Sequence, residues 1–169
     1  MLTLFRFEQK KSYLLSLLFC LGMLGTALYL EQVDALAPCP LCELQRFCFL
    51  VIILFAIMGL LLRLTSGMIR WLSGMTIFFS FCGAALAIHQ LWLEAHPPAV
   101  SNVCGMDLTY LLNMLPFFKA LKVALMGTGD CAVVNWRLLG LSIPGWSLIA
   151  FVLLISLSAY QCYRTKAKI

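Results

Sequence analysis

Two cysteines separated by two residues carry the clearest chemical signal in the sequence. Residues 38–46 read Pro-Cys-Pro-Leu-Cys-Glu-Leu-Gln-Arg, which places Cys39 and Cys42 in a C-x-x-C pair and Arg46 four residues after Cys42. A bridge across such a short spacing constrains little chain entropy, and these pairs are more often redox-active than architectural. The pattern therefore favours thiol–disulfide exchange, with a static disulfide staple as the alternative.

The apolar run after Cys42 predicts that this cysteine lies at the start of a helix. Unsatisfied N–H groups and the helix dipole at that end stabilise an anion, so we expect a thiolate to be available at Cys42. Arg46 would lie one turn deeper on the same face. An arginine entering a membrane span is a functional candidate, here for stabilising that thiolate or for holding a polar group of a lipid-soluble ligand.

A second cysteine pair, Cys104 and Cys131, lies far along the chain. A bridge between them would close a large loop, and a stabilising role is therefore credible. Gly105 and the Gly127-Thr128-Gly129-Asp130 segment beside them give permissive backbone, which would leave a disulfide open to an attacking thiolate. These four cysteines predict two disulfides or one metal site.

Metal and haem sites fit the sequence less well. A structural zinc site usually has two C-x-x-C elements, and this chain has one. Covalent c-type haem requires a histidine where Glu43 stands. His89 and His96 have no clear facing partner for a metal or b-type haem, although His89 could line a quinone pocket. We predict no metal site.

Composition places the chain in a membrane. It has 169 residues, of which 63% are hydrophobic and 11% charged, with a mean hydropathy of +0.98. A soluble domain is closer to half apolar and a quarter charged, which excludes a soluble enzyme. The net charge of +5 comes from residues at the edges of apolar runs and forms no basic stripe, so nucleic acid is not an expected partner.

Apolar segments of about 20 residues predict an all-α membrane protein built as a single four-transmembrane-helix bundle. The predicted spans are 12–30, 44–62, 71–93 and 145–163, joined by loops that include 31–43 and 94–144. The segment 108–126 is amphipathic and interrupted by Pro116; it either lies on the membrane surface or packs against the other helices. Cysteines within the spans behave as small hydrophobes: Cys20, Cys48, Cys82 and Cys162.

Basic residues predict the orientation. Most of them lie in the N-terminal tail, in the 63–70 turn and in the C-terminal tail: Arg6, Lys10, Lys11, Arg63, Arg70, Arg164, Lys166 and Lys168. Under the positive-inside rule both termini are cytoplasmic and both cysteine-bearing loops face outward. The Ala35-Leu36-Ala37 sequence resembles a signal-peptide cleavage site, but the first span is long enough to cross and Pro38 would block cleavage.

The chain resembles the DsbB family of bacterial disulfide bond formation proteins. The resemblance rests on four spans, on the outward C-x-x-C followed by Gln45-Arg46, on the Cys104/Cys131 pair and on the 139–146 sequence Leu-Gly-Leu-Ser-Ile-Pro-Gly-Trp. It implies a multi-pass protein of the bacterial inner membrane. Such a protein reoxidises a periplasmic thioredoxin-fold dithiol oxidase of the DsbA type and passes two electrons to ubiquinone or menaquinone.

The resemblance also implies roles for individual residues. Cys104 would form the mixed disulfide with the partner, Cys131 would be its mate, and Cys39 would be the exchanging thiol. Cys42 would donate to the quinone, which Arg46 would help to bind. A second quinone ligand on the third span stays open among His89, Gln90 and Glu94. The alternatives are a paralogue serving another thioredoxin-like partner and a disulfide-stapled structural subunit.

Overall fold

The computed structural model describes residues 2–33, 39–62, 65–96, 108–126 and 137–166. These residues form six helices and one short β-hairpin. The helices are α1 (Leu2–Val33), α2 (Pro40–Leu61), α3 (Ser66–Ala95), α4 (Leu108–Met114), α5 (Phe117–Met126) and α6 (Ile143–Lys166), and the strands are β1 (Arg137–Leu138) and β2 (Leu141–Ser142).

Four of the helices are long and apolar enough to cross a membrane. They are α1 from Gln9 onward, α2, α3, and α6 as far as Thr165. Large apolar side chains such as Leu18, Leu54 and Phe81 point away from the bundle and are more than half exposed, as expected for a surface that contacts lipid. The predicted four-span, all-α architecture is confirmed, and the protein is an integral membrane protein.

The centre of the bundle is closely packed where α3 meets α6. The rings of Phe49 on α2 and Phe151 on α6 stack with centroids 4.3 Å apart. Gly83 of α3 lies directly beneath the Phe151 ring, where a Cβ atom would overlap the ring carbons. Without a hydrophobic driving force between helices in lipid, such close approach at a small residue is a main source of association.

Local sequence explains where α2 begins. Pro40 occupies the first turn, where its missing N–H costs nothing and its fixed φ suits the helix. Cys39 is the N-cap residue, with φ −75° and ψ 158°, and its carbonyl accepts from the Glu43 N–H at 3.1 Å. The helix therefore starts earlier than the predicted span, and it includes Cys42 in its first turn.

The amphipathic segment forms α4 and α5, which are separated at Leu115 and Pro116. Ala120 and Ala124 of α5 are buried in a small cluster that includes Leu44 of α2. Phe117 and Phe118 are on the exposed surface, at 62% and 83% exposure. One face of the segment thus packs against the bundle while another stays available to the membrane surface.

A β-hairpin within the predicted 94–144 loop was not expected. Leu139 and Gly140 form its turn with φ of 54° and 84°, the two positive angles of a type I′ turn. The hairpin is tied to both neighbouring helices: Trp146 Nε1 donates to the Leu138 carbonyl at 3.2 Å, and Ser142 Oγ donates to Glu94 Oε2 at 2.8 Å. These bonds bring the end of α3 and the start of α6 together.

Candidate dithiol site

The two sulfur atoms of the C-x-x-C pair lie side by side at one end of the bundle. This cysteine end is where α1 ends, α2 begins, α3 ends and α6 begins. The Cys39 Sγ donates to the Cys42 Sγ across 3.2 Å, which exceeds an S–S bond of about 2.05 Å. Cys39 is buried and Cys42 is half-buried. The pair is therefore arranged so that a disulfide could form within it by small side-chain rotations.

A glutamine of α3 contacts both sulfur atoms. Gln90 Nε2 donates to Cys42 Sγ at 3.2 Å and to Cys39 Sγ at 3.6 Å. Its Oε1 accepts from Gln45 Nε2 at 2.8 Å and lies 3.6 Å from Cys42 Sγ. Leu41, Leu86 and Leu93 pack around the same sulfurs. The dithiol thus lies in an apolar environment that holds polar donors at defined positions.

Arg46 links α2 to the last turn of α1. Its Nη1 lies 2.6 Å from Glu31 Oε2, and its Nη2 donates to the Ala27 carbonyl at 3.3 Å. The side chains of Arg46 and Glu31 are 22% and 35% exposed. Arg46 and Cys42 are four residues apart on one helix and both half-buried, so they share a face at the rim of the bundle.

The structure separates the three candidates on the third span. Gln90 is the one at the sulfur atoms, whereas Glu94 accepts from Ser142 of β2, directly before α6. His89 stacks with Trp92 at 6.3 Å and lines a separate cleft of about 490 Å³. The other residues lining that cleft all belong to α5: Phe118, Leu121, Lys122, Leu125 and Met126.

Three of the predicted site residues, Cys39, Cys42 and Arg46, therefore meet at the cysteine end. Cys104 and Cys131 lie outside the described residues. Sequence reasoning included Gln45 in the C-x-x-C motif region without giving it a role, and it missed the ion-pair partner Glu31. The available signal for Gln45 was a polar amide inside an apolar span, which is costly and commonly functional.

Metal ligation has no support among the residues described. Within them, no group of three or more His, Cys, Asp or Glu side chains could hold a metal ion. Three of the four span cysteines are part of the packing: Cys20 and Cys48 are buried in the central apolar cluster, and Cys82 packs against it.

Comparison with known proteins adds a family to this geometry. The family model described as "Disulfide bond formation protein DsbB" matches residues 9–161. The chain belongs to the DsbB family. Membership places it among the disulfide-forming membrane oxidoreductases, in agreement with the resemblance seen in the sequence.

Individual relatives of the DsbB family are similar over most of their length. "Disulfide bond formation protein B" of Marinobacter nauticus is 44% identical over 87% of this chain and 88% of its own. The protein of the same name from Hahella chejuensis is 41% identical over 83% and 85%. "Disulfide bond formation protein B 1" of Pseudomonas aeruginosa is 38% identical over 92% and 95%. No solved structure matches the chain.

Proposed function

We propose that this protein reoxidises a periplasmic thioredoxin-fold dithiol oxidase of the DsbA type and passes the two electrons to a membrane quinone at Cys42. The observation that carries the proposal is the position of the dithiol. Two sulfurs 3.2 Å apart lie at the head of a membrane helix, with a half-buried arginine one turn deeper. A static staple would not require a cation or amide donors at this place.

The orientation proposed for the chain follows its charge distribution. The described basic residues Lys10, Lys11, Arg70 and Arg164 lie at the end of the bundle opposite the cysteines, which the positive-inside rule assigns to the cytoplasm. The cysteine end then faces the periplasm of a bacterial inner membrane, where disulfides form and persist. Both termini are cytoplasmic in this arrangement.

Electrons enter through the second cysteine pair. The partner's thiolate attacks Cys104 in a Cys104–Cys131 disulfide, forming a mixed disulfide and releasing Cys131 as a thiolate. Cys131 then attacks Cys39, the Cys39–Cys42 bond breaks, and its electron pair stays on Cys42. The partner's second thiol then displaces Cys104 from the mixed disulfide, which leaves the partner oxidised. The Cys104 thiolate attacks Cys131, which restores the Cys104–Cys131 bond and releases Cys39, so that Cys39 and Cys42 are both reduced. Each step needs a thiolate attacker and a stabilised leaving thiolate.

Electrons leave through Cys42 because of its surroundings. Cys39 is buried at the N-cap, whereas Cys42 is half-buried on the face it shares with Arg46. The first turn of α2 stabilises a thiolate there through its backbone N–H groups. When bound, a quinone supplies the electron acceptor, taking up two electrons and two protons as it becomes a quinol.

The residues present fit a quinone, which is an apolar ring carrying two carbonyl acceptors. A guanidinium has five N–H groups, and among the described residues Arg46 uses one from each terminal nitrogen for Glu31 and Ala27. Arg46 therefore retains donors for a carbonyl oxygen while Glu31 holds it at the rim. Apolar neighbours of the sulfurs, including Leu41 and Leu93, suit the ring.

A turnover assay tests the proposal. The full chain, purified in detergent, is mixed with a reduced DsbA-type protein and with ubiquinone or menaquinone analogues, and quinol formation is followed by absorbance. We expect turnover that Cys42→Ser abolishes and that Cys162→Ser, a change in the last turns of α6, leaves intact. No turnover with either quinone, or full turnover of Cys42→Ser, would contradict the proposal. Disulfides that never turn over would support the stapled structural subunit.

A further inference from the structure

Two buried carboxamides lie beside the sulfur atoms of the dithiol. Gln45 of α2 and Gln90 of α3 are 3% and 4% exposed. Burying an amide inside a membrane bundle is costly unless its polar atoms are hydrogen-bonded. Gln45 Nε2 donates to Gln90 Oε1 at 2.8 Å, so the two amides satisfy part of each other's requirement.

The bond to Gln45 occupies the Gln90 oxygen and leaves the amide nitrogen for the sulfurs. The nitrogen lies 3.2 Å from Cys42 Sγ and 3.6 Å from Cys39 Sγ, while the oxygen, which accepts from Gln45, is 3.6 Å from Cys42 Sγ. A thiol accepts such a bond weakly. A thiolate accepts it as a charge-assisted bond, which is about twice as strong.

We propose that Gln90 is a catalytic residue that donates to the Cys42 thiolate, and that Gln45 is the positioning residue that orients it. The inference deepens the proposed function and rests on it. When an incoming thiolate attacks Cys39, a new S–S bond forms and the Cys39–Cys42 bond breaks. The electron pair goes to Cys42 Sγ, where the Gln90 N–H stabilises the charge, so no proton has to arrive during the step.

The surroundings increase the effect of this bond. Leu41, Leu86 and Leu93 pack against the dithiol on its buried side and lower the local dielectric there. In a low-dielectric environment a hydrogen bond to a charge is stronger than in water. The first turn of α2 and the Gln90 amide then act on the same sulfur from two different helices, so removing either one weakens the stabilisation without abolishing it.

The test measures thiolate formation directly and uses neither partner nor quinone. The reduced full chain in detergent is alkylated with iodoacetamide across a pH series, and modification of Cys42 is quantified by mass spectrometry. The midpoint of the rate–pH curve reports thiolate formation, whereas the plateau at high pH reports accessibility. Gln90→Met keeps the length of the side chain, and Gln90→Glu keeps its shape but replaces the donor with an acceptor.

We expect Gln90→Met to raise the midpoint of the Cys42 alkylation curve by about one pH unit and to leave its plateau at high pH unchanged. At a pH below the midpoint, this shift corresponds to alkylation that is roughly tenfold slower. Gln90→Glu raises the midpoint at least as far. Gln45→Met raises it less, because the Gln90 amide keeps its N–H groups but is no longer held in one orientation by Gln45. Gln161→Met, which alters a buried glutamine of α6 at the opposite end of the bundle, leaves the curve unchanged.

Coincident midpoints for wild type, Gln90→Met and Gln90→Glu would overturn the role of Gln90, and a wild-type midpoint in Gln45→Met would overturn that of Gln45. The outcome is separable from that of the proposed function. Shifted midpoints in a protein that reduces no quinone would reject the proposed function alone. Quinone turnover with unshifted midpoints would reject the amide inference alone.

Discussion

The guanidinium of Arg46 lies 2.6 Å from the carboxylate of Glu31, which joins the last turn of α1 to the second turn of α2. The Ala27 carbonyl accepts from the same guanidinium. Arg46 is therefore held at the rim of the bundle by α1 while it lies on the α2 face that carries Cys42. A cation held in this way binds a ligand more tightly than a mobile surface arginine does, because its side chain loses less conformational entropy on binding.

Removing the guanidinium should affect the quinone more than the protein partner. We expect Arg46→Ala to raise the apparent quinone KM about tenfold or more, since a charge-assisted bond is lost. Arg46→Lys should be intermediate, because an ammonium keeps the charge but not the fork of donors. Steady-state kinetics with each substrate varied in turn measures this. An unchanged quinone KM in Arg46→Ala would rule out the assigned role.

Glu31 should act through Arg46. Glu31→Leu removes the carboxylate but leaves the Ala27 carbonyl as an acceptor, so we expect a quinone KM raised by roughly threefold and an unchanged kcat. Glu31→Gln keeps an acceptor and should stay closer to wild type. The unfolding free energy should change by less than about 1 kcal/mol in either variant, because the pair is partly exposed. If Glu31 acts through Arg46, its removal raises the quinone KM less than removal of Arg46 does. A larger increase in Glu31→Leu than in Arg46→Ala would contradict this role.

Packing at Gly83 should be sensitive to a single methyl group. Gly83→Ala places a Cβ against the Phe151 ring, so we expect a loss of about 1–3 kcal/mol of stability. Gly74→Ala is the matched control in the same helix, because within the described residues no atom beyond its chain neighbours and the local helix backbone lies within 4 Å of an added Cβ; it should be neutral or slightly stabilising. Thermal or denaturant unfolding in detergent compares the two. Equal stabilities would show that α3 and α6 are less closely packed than described.

The turn of the hairpin should prefer glycine at one position. Gly140 has φ of 84° and open space around it, so Gly140→Ala introduces strain without a clash and should cost about 1–2 kcal/mol. Leu139→Asn should be neutral or stabilising, since asparagine tolerates the φ of 54° found there. Unfolding curves of the two variants provide the measurement, and equal destabilisation of both would argue against a type I′ turn.

Hydropathy predicted the membrane helices well but not their ends. The third helix begins at Ser66 rather than at the predicted residue 71, and Thr65 caps it by accepting from the Met68 N–H at 3.5 Å. A hydropathy pattern reports which residues prefer lipid. The first residue of a helix depends instead on where a side chain can cap the free N–H groups of the first turn, and this point can lie outside the apolar run. The hairpin was missed because strands of two residues have no detectable alternation.

The candidate site was predictable to the extent that it is local in sequence. Cys39, Cys42 and Arg46 lie within two turns of one helix, so their spacing alone brought them together. Gln90 was only one of three candidates, because which face of α3 meets α2 depends on how the helices pack. The Gln45–Gln90 bond and the Arg46–Glu31 pair each join two helices, and no periodicity within a single segment specifies such contacts.

A single-turnover measurement tests the central claim most directly. In a Cys104→Ser/Cys131→Ser chain, the Cys39–Cys42 pair is reduced chemically, the reductant is removed, and a soluble quinone analogue is added without oxygen. We predict a single equivalent of quinol per chain, formed together with a Cys39–Cys42 disulfide detected by peptide mapping, and no quinol when Cys42→Ser is added. Absence of quinol from the reduced pair, or quinol without that disulfide, would contradict the account.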